Sequence, residues 1–161
     1  MTRPAVLRLG VPARGMLVHR TLPQLLAPHQ LVPGRCRDVD ALLAWGRRPS
    51  AIAVERLGRQ WGLPVWHLED GFLRSIAKGR NHPPLCLLVD ERGVQFDATA
   101  PSQLEQLIGA PISAAQAERA QRLKQLWCAE RLSKVNPPRE SPAPEQPFVL
   151  VVDQSAGDRS I

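Results

Sequence analysis

Glu69 and Asp70 stand side by side in HLEDGFLRS (His67–Ser75), just after a short apolar run, with Gly71 next and Arg74 four residues beyond Asp70. A further acid, Asp153, ends the apolar run FVLVVD (Phe148–Asp153). Carboxyl groups delivered by separate strands can divide labour as nucleophile and general acid when their surroundings push their pKa values apart. Both clusters are expected where open α/β sheets bind ligands, outside the carboxyl ends of the strands. The plainer reading is an Asp70–Gly71 turn and an Asp153 that caps a following helix. Glu69, Asp70, Asp153 and Asp158 would suit Mg²⁺ as ligands, but no fixed spacing supports such a set, so no metal is expected.

Arginines accompany the acids. Arg74 can fork onto a carboxylate or phosphate, and Arg47 and Arg48 occupy another strand-to-helix loop, where an anion would also meet a helix N-terminus. Each also fits a solvated surface group. SKVN (Ser133–Asn136) closes a long helical stretch and reads on its own as a cationic C-terminal cap. The four histidines are scattered without HExxH or nucleophile–base spacing, and His67 inside a strand reads as a packed residue. Neither a GxGxxG nor a P-loop is present, so dinucleotide and nucleoside-triphosphate cofactors are not expected.

The elements that must carry these groups alternate short apolar runs with longer amphipathic stretches, the pattern of βαβ units around a parallel sheet. Val6–Leu9, Met16–Val18 and Ala41–Trp45 are candidate strands, and Thr21–Ala27 a short helix. Ser50 is placed to cap a helix through AIAVERLGRQW that Gly62 ends. PVWHL then forms a strand delivering Glu69 and Asp70 into a loop. LCLLVD and VQFD flank ERG as a hairpin with Gly93 at a positive φ. Ser102 with Glu105, and Ser113 with the glutamine three residues on, have capping-box spacing. The helix after Ser113 repeats Ala117, Ala120, Leu123, Leu126 or Trp127, and Leu132 on one face. A proline-dense linker spans 135–147. FVLVVD is expected to be a strand buried on both faces, and with no following helix to cover it the chain reads as truncated.

A chain of 161 residues suits one domain with a sizeable core, and 43% hydrophobic against 22% charged residues argues against wholesale disorder. Aromatics are 4% with no tyrosine, a poor supply of stacking platforms, so nucleic acid is not an expected partner. Lys+Arg 21 against Asp+Glu 15 gives +6 spread along the chain, which suits anionic small substrates or an anionic membrane surface. Cys36, Cys86 and Cys128 lack any CxxC spacing and suggest neither disulfides nor zinc. No run reaches the roughly 20 apolar residues of a spanning helix. A cytoplasmic protein, peripheral at most to the inner membrane, is expected.

Taken together, WGRRPSA, LEDGFLRS, PPLCLLVDERGVQFDA with PSQLEQLI, RLSKVN and VVDQSAGDRSI resemble, in order and spacing over Ala41–Ile161, the bacterial capsule polysaccharide biosynthesis proteins, a family of retaining β-Kdo transferases. The resemblance implies a Rossmann-like α/β domain over 1–134, the acceptor-side half of a GT-B-like glycosyltransferase. It implies a linker over 135–147, and over 148–161 the first strand of a donor-binding domain whose remainder is missing. It implies transfer of Kdo from CMP-Kdo, as donor substrate rather than cofactor, to a phosphatidylglycerol-type lipid acceptor that carries capsule, next to the capsule assembly machinery. Asp153 would be the nucleophile, and Glu69 and Asp70 would supply the general acid/base and orient the acceptor. Arg74, Ser75, Arg48, Gln154, Lys134 and Asn136 would bind substrate, with valine in SKVN where the family often has an aromatic. The segment alone is not expected to be active. The alternatives are a non-catalytic export or polysaccharide-binding component and a degenerate gene remnant.

Overall fold

The structure is a computed structural model that describes residues 6–77, 82–136, 142 and 144–152. Its centre is a five-stranded sheet in the order β2-β1-β3-β4-β5, with β1 Arg8–Val11, β2 Gln30–Pro33, β3 Ala41–Trp45, β4 Val65–Asp70 and β5 Leu87–Asp90. The first four strands run parallel, and β5 pairs antiparallel to β4. The protein is therefore an α/β fold with a mostly parallel sheet.

All five residues of β3 are buried, because the central strand is covered on both faces. Side chains alternate across it. Leu43 and Trp45 join Leu9, Val11 and Leu68 in one core, which Met16, Leu22 and Leu26 close from outside. Leu42 and Ala44 face the opposite core, built with Val39 and with Ala51 and Val54 of α2 (Pro49–Trp61). Ala51, Val54 and Gly58 are the buried residues of α2, a stripe of helical spacing.

Several expectations shift by a turn or a few residues. The helix expected at Thr21–Ala27 is the short α1, Leu22–Leu25. Met16–Val18 is no strand but part of a 3₁₀ turn, Arg14–Val18, whose Met16 plugs the core. Ser50 does not cap α2. Pro49 takes the first helical turn, so Arg48 is the N-cap, and it makes no side-chain cap bond. Gly62 ends α2 at φ 68° in the left-handed region, as expected.

The hairpin expected around ERG is not formed. Asp90 accepts from the N–H groups of Arg92 and Gly93 at 2.8 and 2.9 Å, bending the chain out of the sheet. Its other oxygen accepts from Gln103 N at 2.8 Å and Leu104 N at 3.3 Å, at the start of α3 (Gln103–Gly109). Gly93 is not among the positive-φ glycines, and Val94 and Asp97 of VQFD lie buried in a loop.

Both capping boxes are present, at Ser102 with Glu105 and at Ser113 with Gln116. α4, Ala114–Ala129, buries none of its residues among those described. Residues 148–152, expected to be strand, form none and are exposed; Asp153 and the rest of 153–161 lie outside the described residues.

Candidate active site

β1 pairs with β2 on one side and β3 on the other, so the chain reverses direction across the sheet between β1 and β3. Loops leaving the carboxyl ends of two such strands diverge, and a crevice opens between them. Here it is a cleft of about 580 Å³. Arg14, Gly15 and His19 from the segment after β1 form one wall, and Trp45, Arg48, Asp70 and Arg74 form the other.

Glu69 and Asp70 end β4 rather than entering a loop, so consecutive side chains leave opposite faces of the strand. Asp70 lines the cleft. Its Oδ2 accepts from Arg74 Nε at 2.8 Å, while its Oδ1 is buried with no partner among the described residues. Glu69 leans over Gly46, whose φ is 53°; a Cβ there would lie 2.8 Å from Glu69 Oε2. Burial raises the Glu69 pKa, Asp70's charge adds to that, and the Asp70 N–H, Lys134 and Arg48 act against it. The acid pair is thus split into an ion-paired carboxylate at the cleft and one of raised pKa beside it.

Arg74 is held from three sides. Besides Asp70 it donates to Ser75 Oγ at 2.7 Å and to the His82 carbonyl at 3.1 Å. Ser75 is buried, and its hydroxyl donates to Ala77 O at 2.7 Å, so it fixes Arg74 and does not line the cleft. Arg74 N and Ser75 N both donate to Lys134 O, and Asn136 N donates to Ser75 O. The structure thereby brings LEDGFLRS and SKVN together through main-chain bonds, including a parallel bridge between Ser75 and Val135. The Asn136 amide is used within its own turn, donating to Ser133 O and accepting from Ser133 N, each at 2.7 Å. Lys134 acts on Glu69 by charge. Asp153 and Gln154 lie outside the described residues.

His19 and Arg14 were not singled out from sequence. His19 stacks on Trp45 with ring centroids 4.8 Å apart. Burial lowers its pKa, Asp70 opposes that, and Arg74 and Arg48 add to it, so the imidazole is neutral at pH 7. Only the topology reveals these residues, because they reach the site from a different strand end. His67, read as packed, is buried and sits 3.2 Å by Nδ1 from Gly46 O. The described residues hold no group of three or more His, Cys, Asp or Glu arranged for a metal ion, and none of their helices is long and apolar enough to cross a membrane.

Residues 40–136 match the family described as capsule polysaccharide biosynthesis protein. The capsule polysaccharide modification protein LipA of Neisseria meningitidis serogroup B is 34% identical over 94% of this chain and 23% of its own length. The lipopolysaccharide-processing protein LpsZ of Rhizobium meliloti is 38% identical over 76% of this chain and 30% of its own. Among solved structures, the β-Kdo 2,4 transferase KpsC of Thermosulfurimonas dismutans superposes with TM-score 0.80 at 32% identity, covering 95% of this chain and 50% of that one. The β-Kdo 2,7 transferase of the same organism's KpsC gives 0.52 at 27%, covering 83% and 45%. This chain spans about a quarter of LipA's length and half of the 2,4 transferase chain. On the strength of these matches, this chain belongs to the capsule polysaccharide biosynthesis protein family.

Proposed function

We propose that the chain is the acceptor-side half of a GT-B-type, retaining β-Kdo transferase that moves Kdo from CMP-Kdo onto a phosphatidylglycerol-type lipid acceptor during capsule assembly. The observation that carries the reading is the coincidence of the switch-point cleft with the close superposition on a β-Kdo 2,4 transferase. In this reading a carboxylate oxygen of Asp153 attacks the anomeric carbon of the donor, and the bond to CMP breaks with CMP leaving as an anion. An acceptor hydroxyl then attacks the same carbon, the bond to Asp153 breaks, and the hydroxyl proton passes to a protein base. Two inversions give net retention.

Asp70, fixed by Arg74, orients the acceptor hydroxyl, and the ionised carboxylate of Glu69, made a stronger base by the upward push of burial on its pKa, takes the hydroxyl proton. Gln154 binds substrate, Lys134 acts through its charge on Glu69, and Asn136 acts through its turn. The enzyme works at the cytoplasmic face of the inner membrane, where a lipid acceptor is presented.

The test is transfer by the full-length polypeptide supplied with CMP-Kdo and a synthetic lipid acceptor. Asp153→Ala is expected to lower kcat by about three orders of magnitude or more, and Asp70→Asn to lower it while leaving donor binding unchanged. Undiminished transfer by Asp153→Ala removes the nucleophile. A wild-type protein that binds capsule polysaccharide but transfers nothing is instead a non-catalytic component.

A further inference from the structure

The parallel ladder between β3 and β4 changes partners at its last rung. Trp45 pairs with Leu68, and the next residue, Gly46, still donates its N–H to Leu68 O at 2.9 Å. A regular parallel ladder would go on to join the Asp70 N–H to Gly46 O. That bond is not made. Gly46 sits at φ 53°, a left-handed conformation that a residue without Cβ adopts freely, and its carbonyl meets His67 Nδ1 at 3.2 Å. The Asp70 N–H donates instead to Glu69 Oε1 at 2.9 Å. His67 and Glu69, two residues apart on β4, leave the same face of the strand, and the missing Cβ of Gly46 makes room there for Glu69 Oε2. A carbonyl only accepts, so the bond to Gly46 requires the His67 ring proton on Nδ1. The other ring nitrogen, Nε2, lies 3.5 Å from Glu55, which accepts from Arg47 at 2.6 Å.

We infer that His67 is a positioning residue for Glu69: by holding the Gly46 carbonyl out of the ladder, it leaves the Asp70 N–H to the Glu69 carboxylate and fixes that carboxylate at the end of β4. The geometry stands on the structure alone, and its catalytic consequence rests on the transferase reading, in which Glu69 takes the acceptor proton. Gly46 is buried, and a buried carbonyl without a donor is costly, so a Gly46 O that lost His67 would compete for the Asp70 N–H one rung away. Glu69 would then lose a hydrogen bond that favours its charged form. The charges that face Glu69 are Asp70 on its own strand, which raises its pKa, and Lys134 and Arg48, which lower it. A substitution at His67 changes none of them. A histidine kept only to fill space could give way to an apolar residue without effect on Glu69.

NMR of this chain tests the geometric claim without any transfer assay. Long-range nitrogen–proton spectra of the imidazole rings are expected to show the His67 proton on Nδ1, and a ring protonated at Nε2 alone cannot make the bond and overturns the inference. In a carboxyl-carbon titration His67→Leu should move the Glu69 pKa upward. His67→Asn, also uncharged but carrying an N–H near the place of Nδ1, should leave it close to wild type. Equal pKa values in all three proteins overturn the inference, and so do equal shifts in the two variants, because loss of the ring rather than of the bond would then be responsible. Transfer by the full-length polypeptide reads the consequence. His67→Leu is expected to lower kcat about tenfold with KM unchanged. The acid limb of its pH profile should shift upward with the Glu69 pKa, and His67→Asn should restore most of both. A kcat that falls while neither the acid limb nor the Glu69 pKa moves makes His67 a structural residue and overturns the inference. A Glu69 pKa that moves while transfer does not overturns the positioning role and counts against Glu69 as the base. A wild-type protein that transfers nothing fails the transferase reading separately, and the NMR measurements still decide whether His67 holds Gly46 and Glu69 apart.

Discussion

Arg47 turns inward and donates to Asp97 and to Glu55 of α2, the latter at 2.6 Å, while Arg48, one residue on, caps α2 from the open side and lines the cleft. Around Arg47 the groups satisfy one another. Asp97 also accepts from the Thr99 N–H and hydroxyl, and Glu55 lies 3.5 Å from His67 Nε2. Around Arg48 they do not: His19 is neutral, Asp70 belongs to Arg74, and one Asp70 oxygen has no partner among the described residues. A charge that a protein buries for its own stability is paired within the protein, because an unpaired buried charge costs several kcal/mol. A charge left uncompensated at a cleft is available to a ligand. The two faces of one strand end thus separate support from binding.

The sharpest way to break this contrast is to remove one side chain from each face. Asp97→Ala deletes the more deeply buried partner of Arg47 and is expected to cost about 3 kcal/mol, toward the low end for a broken buried pair because Glu55 still holds the guanidinium. Arg48→Met should cost no more than about 0.5 kcal/mol, as for an exposed residue without a pair. Urea unfolding of both variants checks the order. Comparable losses would show that Arg48 is structural and the cleft is not built for a ligand.

Acid should discriminate between the faces in the same way. The Asp97 pKa is pulled down to about 2, by the Thr99 hydroxyl first and then, against burial, by the Thr99 N–H and Arg47. At Asp90 burial pushes upward, but the four backbone N–H groups of Gly93, Arg92, Gln103 and Leu104 outweigh it and hold the pKa below 3.8. A depressed carboxyl pKa adds stability that is complete above the unfolded value and is lost as pH falls through the folded one. For Asp97 that window runs from 3.8 down to about 2. Wild-type stability should therefore fall across it, and Asp97→Ala should fall less steeply. Equal slopes in the two proteins would place the acid-sensitive charge elsewhere.

Sequence made the central strands and one wall of the site legible, for reasons visible in particular residues. Ala41–Trp45 is continuous and apolar because the central strand is covered twice, and Ser102 and Ser113 carry local capping signals that need no tertiary partner. The acids of LEDGF stood out by type and position. Their division did not, since it depends on β4 continuing through Asp70 so that neighbours leave opposite faces. β2 went unread because QLVP is short and ends in proline, as an edge strand tolerates. The lost hairpin reflects Asp90, whose side chain outbids the ladder for the N–H groups beyond it. Arg14 and His19 lay too far in sequence from the acids to be grouped with them, and the crossover between β1 and β3 brings them there.

The smallest expected effect tests whether the two faces are electrically separate. His19 is held below 6.5 by burial first, with Asp70 pulling upward and Arg74 and Arg48 pushing down. A histidine whose folded pKa is lowered costs stability in acid. That cost is complete below the folded value and vanishes as pH rises toward the unfolded value near 6.5. Arg48→Gln should raise the His19 pKa and Asp70→Asn should lower it further, shifts readable from the imidazole proton resonances during an NMR titration. The stability gained as pH rises toward 6.5 should shrink in Arg48→Gln, because less of the histidine's proton affinity is then lost on folding. Arg47→Met should leave His19 where it is, since Arg47 spends its charge on Asp97 and Glu55. A His19 that moved as far in Arg47→Met as in Arg48→Gln would mean that the paired network and the open cleft share one field, and that the positive charge of the cleft belongs to the whole strand end.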